Sequence, residues 1–148
     1  MPANSLCPLY NGHDQSPSLH WTHIKGAKSY ALLCYDPDLP NGKKWIHWLI
    51  PYISPLINHL LSLPPISKKY VIDYDGHCIV QGINSWNRYG WGGPCPGKNL
   101  PKIRHHYHFI IYALDTIISE DTIENFTTAI SGHIIDQGVL TATFLKPF

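Results

Sequence analysis

The feature that most constrains the fold of this chain is the even spread of its helix-breaking residues. Thirteen prolines and 11 glycines interrupt the 148 residues, and short β-branched or aromatic runs lie between them. Proline removes a backbone hydrogen-bond donor, and glycine carries a high entropic cost in regular structure. The pattern is typical of a mainly β protein with irregular loops. A chain of this length predicts one domain covering residues 1–148.

The charge balance and the hydropathy exclude several function classes. Lys and Arg number 11 and Asp and Glu number 10, and a net charge of +1 gives no electrostatic basis for binding nucleic acid. Residues 46–66 are rich in apolar side chains, but four prolines and two histidines in this stretch argue against a membrane span. Residues 1–9 show no secretory signal pattern. We therefore expect a cytoplasmic protein without integral membrane association.

The cysteine pattern excludes two common kinds of site. Cys7, Cys34, Cys78 and Cys95 form no Cys-x-x-Cys pair, so neither a zinc ribbon nor a thioredoxin-like site is indicated. Free, mostly buried thiols in a reducing compartment are the expectation, and Cys95 is predicted to be a structural thiol rather than a nucleophile. A disulfide remains open at this point.

Short apolar runs predict a set of strands. The pair Asp75-Gly76 between two of these runs indicates a tight hairpin. Asp36-Pro37 ends the first long run, because proline cannot donate to a β-ladder. The predicted strands are residues 29–35, 45–52, 70–74, 77–81, 104–114 and 139–146.

Two helices are predicted among these strands. Ser54 and Pro55 suit the start of a short helix over residues 54–61. Asp121 and Glu124 resemble a capping box, and the apolar side chains that follow recur at helical spacing until Gly132. Few helices among non-sequentially paired strands favour a β-sandwich with helical decoration.

Strict alternation assigns faces to two of the strands. His47 is expected to share a face with Leu49, opposite Trp48 and Ile50. In the strand at residues 104–114, one face is expected to carry His105, Tyr107 and Phe109, and the other His106, His108 and Ile110.

Several polar motifs follow one another along the chain and suit a small anionic ligand. They are Asp36-Pro37-Asp38, His47, the glycine-rich run at residues 90–97, and His105 with Tyr107. Backbone N–H groups of a glycine loop bind anions, and so do charged imidazoles. Carboxylates beside the histidines would raise the imidazole pKa values, so we expect the histidines to carry charge toward the ligand.

These motifs, in this order, resemble those of the phosphatidylethanolamine-binding protein family, which includes Raf kinase inhibitor proteins, and most closely its bacterial-type branch. The resemblance runs from about Cys7 to the C-terminus. It rests mainly on Asp14-Gln15-Ser16-Pro17, Tyr35-Asp36-Pro37-Asp38, Trp45-Ile46-His47-Trp48, Tyr89-Gly90-Trp91-Gly92-Gly93-Pro94-Cys95-Pro96 and His105-His106-Tyr107-His108-Phe109.

The resemblance implies a mainly β fold, an antiparallel β-sandwich with Greek-key connections and a few peripheral helices. It also implies a non-enzymatic protein without a cofactor that binds phosphate or a phospholipid head group in one pocket. A protein kinase or protease partner, a role in signalling, and a homodimer are further expectations. By resemblance, the ligand-binding residues are Asp14, Asp36, Asp38, His47, Gly92, Gly93, Pro94, Cys95, Pro96, His105 and Tyr107.

The chain departs from the family pattern in two places. His106 stands where family members usually carry an arginine between the pocket histidine and tyrosine. Residues 56–77 differ from the usual short loop and form an elaboration whose partners cannot be inherited from the family.

Two other functions stay open beside ligand binding. Asp36, Asp38, His47 and His105 could act as general acids and bases in a phosphoester hydrolase, although no GxSxG, HExxH or phosphate-loop motif is present. The histidine-rich strand could bind a metal ion. Trp91 is considered as a residue at the rim of the pocket.

Overall fold

The computed structural model describes residues 1–147, which form one large antiparallel sheet, one small sheet and a helix. Two 3-10 turns, Ala3–Ser5 and Pro8–Tyr10, precede the strands. The strands are β1 (Leu19–His20), β2 (Ser29–Asp36), β3 (Trp45–Ile53), β4 (His59–Leu60), β5 (Tyr70–Ile72), β6 (Cys78–Val80), β7 (Arg104–Leu114) and β8 (Ile134–Leu145), and α1 spans Ile123–Ile130.

The large sheet has the strand order β5-β6-β3-β2-β7-β8, and the small sheet pairs β1 with β4. Every pairing is antiparallel. Strand β2 lies at the centre between β3 and β7, so partners far apart in sequence become neighbours in the sheet. The predicted mainly β class, with two antiparallel sheets and little helix, is confirmed.

A hydrophobic cluster lies on each face of the large sheet. The small sheet and the loops cover the first face, where Tyr30 and Trp48 are buried. Helix α1 covers the second face, where Phe126 is fully buried against the ring of Tyr112. The buried alternate side chains of β2 and β3 therefore serve two separate cores, as expected for strands covered on both faces.

The helix near residue 121 exists, but its cap differs from the prediction. The Thr122 hydroxyl accepts a hydrogen bond from the Asn125 N–H at 3.3 Å, so Thr122 is the N-cap. Asp121 instead accepts a hydrogen bond from the Tyr89 hydroxyl and pairs with Lys69. Gly132 follows the helix at φ +80°, a conformation that favours glycine.

The short helix predicted at residues 54–61 is not formed. The Ser54 hydroxyl accepts from the Leu56 N–H in a local turn, and the chain then enters strand β4. Leu60 pairs with Leu19 of β1 and is buried in the core. This tertiary pairing outweighs the capping signal of Ser-Pro, because a local signal contributes little beside a buried strand pair.

A β-bulge in β3 changes the face of His47. Leu33 pairs with Leu49 and Cys34 with Trp48, but Tyr35 then pairs with Ile46, so one residue of β3 is left over. That residue is His47. Its ring lies near the ring of Tyr107 on the Trp48 side of the sheet, while Leu49 is buried in the helix-covered cluster. The prediction that His47 shares a face with Leu49 is therefore wrong.

Two of the cysteines are not free thiols. Cys7 and Cys95 form a disulfide across 88 residues of sequence, with their Cα atoms 5.5 Å apart. The Cys7 N–H also donates to the Pro94 carbonyl at 3.2 Å, which holds the N-terminal turn against the loop that contains Pro94 and Cys95. The expectation of free thiols is wrong for this pair, because only the fold brings the two positions together. Cys34 is a free, buried thiol and Cys78 a free, half-buried one.

Candidate functional site

A cavity of about 190 Å³ opens at the end of the large sheet where β2 ends and β3 and β7 begin. This volume is below the usual range for drug-sized ligands and suits a small molecule. Of the described residues that line it, none is a lysine or an arginine. The lining residues are Asp36, Leu39, Trp45, His47, Trp86, Cys95, Pro96, Gly97, Leu100, His105 and Tyr107.

The best-defined polar group of the cavity is a buried pair formed by His105 and Asp36. The Nδ1–H of His105 donates to Asp36 Oδ2 at 2.7 Å, and both side chains are almost fully buried. The other oxygen of Asp36 accepts the Asp38 backbone N–H at 2.8 Å, which fixes the carboxylate on its proline turn. Asp36 therefore sets the orientation of the His105 ring and leaves its Nε2 as the ring nitrogen not engaged by this pair.

His47 is held in a single tautomer. Its Nδ1 lies 2.6 Å from the Gly92 carbonyl oxygen, and because a carbonyl can only accept, Nδ1 carries the proton. Burial lowers the pKa of His47 to about 4, against the opposing effects of the Gly92 hydrogen bond and the Asp36 charge. His47 is thus neutral near pH 7, with an unprotonated Nε2. The expectation that the neighbouring carboxylates would make this histidine cationic is wrong, because desolvation dominates.

Tyr107 supplies a hydroxyl beside the two histidines. Burial raises the pKa of Tyr107, and the nearby Asp36 carboxylate raises it further, so the phenol remains a hydrogen-bond donor. The Tyr107 ring centroid lies 5.0 Å from that of His47 and 6.4 Å from that of His105. The three rings therefore converge on one small space.

The glycine run shapes the site by close packing rather than by exposing N–H groups. The Gly92 N–H donates to the His47 carbonyl, and the Gly93 N–H donates to Asp14 Oδ1 at 2.9 Å. A Cβ at Gly92 would lie 2.2 Å from the Trp86 ring, and one at Gly93 would lie 2.2 Å from the Ser5 carbonyl oxygen. Both positions require glycine for this close approach. The expectation that their N–H groups face a ligand is wrong.

Five of the predicted site residues lie outside the cavity lining. Asp14, Gly92 and Gly93 form the hydrogen-bonded support just described, and Pro94 is fully buried behind it. Asp38 turns to the opposite face of β7 and accepts from the backbone N–H of His106 at 2.7 Å.

Asp38 is hydrogen-bonded to His106, the position at which the resemblance implies an arginine. Besides its backbone contact, His106 brings its Nδ1 to 2.8 Å from Asp38 Oδ2, and the pair is partly exposed. Partial burial raises the pKa of Asp38, but the hydrogen bonds from His106 outweigh this effect and leave the pKa below its usual value. His106 thus links β7 to the Asp-Pro-Asp turn through both its backbone and its side chain.

The loop at residues 94–100, termed the rim loop, forms one wall of the cavity and is fastened by both ends of the chain. Cys95 is bonded to Cys7, and the Tyr10 hydroxyl donates to the Pro96 carbonyl. From the C-terminal side, the almost fully buried Lys146 donates to three carbonyls of the rim loop. These are the carbonyls of Gly97 at 3.0 Å, Lys98 at 3.1 Å and Leu100.

An aromatic corner forms the outer part of the cavity. The Trp86 ring contacts the ring of Trp45 at 5.4 Å and that of His47 at 5.1 Å, both edge to face. Trp45 lies two positions before His47 on β3, so alternation along the strand could have predicted that both side chains face the cavity. No local pattern could have predicted Trp86, Leu39 or Leu100, because these residues lie in loops. Trp91 is not a rim residue: its ring stacks on Phe109 in the core and donates to the Ser5 carbonyl.

A family model described as phosphatidylethanolamine-binding protein matches residues 2–145 of this chain. The chain belongs to the phosphatidylethanolamine-binding protein family. It is 35% identical over 150 residues to an UPF0098 protein of Methanothermobacter thermautotrophicus, covering 99% of this chain and 91% of that protein. It is 33% identical over 139 residues to an UPF0098 protein of Chlamydia trachomatis, covering 88% of this chain and 83% of that protein.

Solved structures of family members have the same fold. A putative phosphatidylethanolamine-binding protein homologue from Chlamydia trachomatis superposes with a TM-score of 0.78 at 32% identity, covering 98% of this chain and 88% of that one. YbcL of Escherichia coli, described as a new member of the mammalian family, gives a TM-score of 0.75 at 26% identity, covering 99% and 90%. The family assignment made from the motifs is confirmed.

Residues 1–147 contain neither a cluster of metal ligands nor a membrane-spanning helix. No three His, Cys, Asp or Glu side chains in this part of the chain converge in a way that could hold a metal ion. No helix within it is long and apolar enough to cross a membrane.

Proposed function

We propose that this family member is a non-enzymatic protein that binds a small phosphorylated molecule, or the phosphorylated head group of a lipid, in the cavity between Asp36 and the rim loop. The observation that carries the proposal is the convergence of two oriented imidazoles and a protonated phenol on a space of about 190 Å³. A phosphoryl group offers several acceptor oxygens, and it can share protons with all three side chains.

The proposed binding requires a proton between His47 and the phosphate. The Nδ1–H of His47 is used by Gly92, so its Nε2 faces the ligand without a proton at neutral pH. An unprotonated nitrogen can only accept a hydrogen bond, and a fully ionised phosphate carries no proton with which to donate one. A phosphate therefore binds as its protonated monoanion, or a proton enters with it. Either route makes binding stronger in mild acid.

The aromatic corner suits the other end of such a ligand. Trp45 and Trp86 place two indole rings at right angles beside the cavity. Indole faces attract ammonium groups and also pack against apolar stems. Phosphoethanolamine carries a phosphate and an ammonium only a few bonds apart. We therefore expect it to bind more tightly than inorganic phosphate.

A phosphoester hydrolase remains the second candidate, favoured by the Asp36–His105 pair. A carboxylate that orients a histidine is the arrangement of a general base, which could activate water. The described lining offers no free thiol nucleophile, because Cys95 is in the disulfide.

A kinase or protease partner, a signalling role and a cytoplasmic location stay predictions that rest on the sequence and the family resemblance.

Isothermal titration with O-phosphoethanolamine, inorganic phosphate and ethanolamine tests the proposal. His105→Ala and Tyr107→Phe should each weaken phosphoethanolamine binding about tenfold or more, the effect of losing a hydrogen bond to a charged group. His108→Ala, on the same strand but on the opposite face with its Nδ1 against Thr141, is the matched control and should bind as wild type. Equal binding by His105→Ala and wild type would overturn the proposal. Turnover of a phosphoester that is lost in His105→Ala would favour the hydrolase.

A further inference from the structure

Exposed basic side chains flank the residues that line the cavity. They lie in three segments that contribute to its walls: the loop from β2 to β3, the loop after Trp86, and the stretch from the rim loop to the start of β7. All of them are exposed, and together they make up more than half of the 11 Lys and Arg of the chain. We term this set the cationic collar, and it comprises Lys43, Lys44, Arg88, Lys98, Lys102 and Arg104.

The collar residues are neighbours of lining residues in space or along the chain. The guanidinium of Arg88 lies over the ring of Trp86, 5.8 Å from the ring centroid. The other members lie within two positions of a lining residue, namely Trp45, Gly97, Leu100 or His105. The exposed cations are therefore grouped at the end of the large sheet where the cavity opens.

Little negative charge offsets the collar. The carboxylates in the same segments are Asp36, which is buried against His105, and Asp38, which is hydrogen-bonded to His106. An exposed carboxylate, Asp115, follows the far end of β7, about 35 Å away along a strand of 11 residues. The small net charge of the chain thus conceals a marked asymmetry of charge along the sheet.

Two exposed apolar side chains lie among these cations. Ile103, between Lys102 and Arg104, is 42% exposed, and Trp86, beneath Arg88, is 37% exposed. Cations beside exposed indole and aliphatic groups are typical of proteins that lie on a bilayer surface. There the cations meet anionic head groups, and the apolar groups enter the boundary with the acyl chains. A nucleic acid would offer Ile103 no comparable environment.

We infer that the cationic collar docks this protein on the surface of an anionic lipid bilayer, with the mouth of the cavity facing the head groups. The choice of a bilayer over other anionic partners rests on the proposed function, because a lipid whose head group enters the cavity can keep its acyl chains in the membrane. Docking brings the mouth to the depth of the phosphoryl groups. The collar and the cavity therefore have separate ligands: anionic lipids hold the protein at the surface, and one head group enters the cavity.

Co-sedimentation with vesicles tests the docking without the proposed cavity ligand. The probes are vesicles of phosphatidylcholine alone and vesicles of phosphatidylcholine with phosphatidylglycerol, neither of which contains phosphatidylethanolamine. The wild type should bind the anionic vesicles only, and binding should weaken as salt is added, because ions screen exposed charges. Absence of binding to the anionic vesicles at low salt would overturn the inference, and so would equal binding to both kinds of vesicle.

Two charge-reversed double variants test the position of the docking surface. Lys43→Glu/Lys102→Glu should weaken binding to the anionic vesicles about twenty-fivefold or more, because each lysine near such a surface contributes about fivefold. Lys25→Glu/Lys28→Glu is the matched control, since it changes the net charge equally at exposed positions near the far end of β7, where the Lys28 N–H donates to the Leu114 carbonyl. The control should bind nearly as wild type. Equal losses in the two variants would overturn the assignment to the collar.

A polarity-sensitive fluorophore tests the orientation. It is attached in a Cys78→Ser background, which removes the half-buried free thiol. At Ile103→Cys its emission should shift to the blue on anionic vesicles. At Ile117→Cys, an exposed apolar position beyond the far end of β7, it should not shift. A shift at residue 117 without one at residue 103 would overturn the orientation.

His105→Ala distinguishes this inference from the proposed function. The variant should lose phosphoethanolamine binding and still sediment with the anionic vesicles. A wild type that binds these vesicles but not phosphoethanolamine would overturn the proposed function and support the docking, and the reverse result would overturn the docking alone. Equal affinity for double-stranded DNA at the same salt concentration would assign the collar to polyanions in general and overturn the choice of a lipid surface.

Discussion

The hydrogen bond from His47 Nδ1 to the Gly92 carbonyl, 2.6 Å long, fixes which nitrogen of this buried imidazole faces the ligand. The bulge that leaves His47 unpaired turns the ring toward Tyr107, and the glycine run brings the accepting carbonyl. A neutral, singly oriented histidine makes the proposed phosphate binding depend on a proton.

Binding of phosphoethanolamine should be accompanied by proton uptake. The Nε2 of His47 is unprotonated near neutral pH because burial lowers the pKa of His47 to about 4, and an anion in the cavity raises that pKa. Affinity should therefore rise as the pH falls from 8 toward 5.5. Titration calorimetry in two buffers of different ionisation enthalpy measures the protons taken up. Identical apparent enthalpies in both buffers, together with a flat pH profile, would contradict this prediction.

The same histidine should destabilise the free protein in acid. Its pKa is about 4 in the folded state and about 6.5 when unfolded, so the unfolded chain takes up the proton first as the pH falls. Stability present above pH 6.5 is thus lost between pH 6.5 and 4, by about 3 kcal/mol from this group. His47→Asn, whose amide can donate to Gly92, should lose this part of the pH dependence. Urea unfolding at several pH values measures it, and equal slopes for the two proteins would count against the assignment.

Lys146 should be needed for an ordered cavity wall. Its three donors match three rim-loop carbonyls in a buried position, and Lys146→Met leaves those carbonyls without the lysine. We expect a loss of about 2 kcal/mol or more of unfolding free energy and faster amide exchange at residues 97–100. Lys102→Met is the control, because the Lys102 side chain is exposed and makes one long contact with the Pro147 carbonyl. Equal exchange in both variants would show that Lys146 does not hold the loop.

The Cys7–Cys95 disulfide should stabilise the fold and the cavity together. It closes a long loop and fastens the rim loop to the N-terminal turn. Cys7→Ser/Cys95→Ser should lower the unfolding free energy by about 2–5 kcal/mol and weaken phosphoethanolamine binding. The wild type treated with a reductant should show the same change, whereas the reduced double variant should not change further. A wild type unaffected by reductant while Ellman titration shows four thiols would contradict this role.

Elements with a strong regular pattern were predictable from the sequence. Strand β7 begins and ends where the alternation placed it, and His105 and Tyr107 share its inner face as expected. The central strands were also placed within one residue of their observed bounds. Alternation succeeds on β7 because exposed and buried side chains alternate at its start, whereas β2 and β3 were recognisable as continuous apolar runs that are buried on both faces.

The errors arose where one residue or one distant contact decides the outcome. The bulge at His47 adds a residue that no local pattern announces, and it reverses the expected faces. The disulfide of Cys7 with Cys95 and the tether of Lys146 depend on closure of the whole fold. The charge state of His47 depends on its burial, which lowers its pKa by more than the nearby carboxylate raises it. These are tertiary effects, and they cannot be inferred from local sequence patterns.

A crystal structure of the protein with O-phosphoethanolamine tests the central claim most directly. We expect a phosphoryl group within hydrogen-bond distance of His47 Nε2, His105 Nε2 and the Tyr107 hydroxyl, with the ammonium toward Trp45 and Trp86. A phosphoryl group bound elsewhere, or a cavity left empty under saturating ligand while His105 keeps its bond to Asp36, would contradict it.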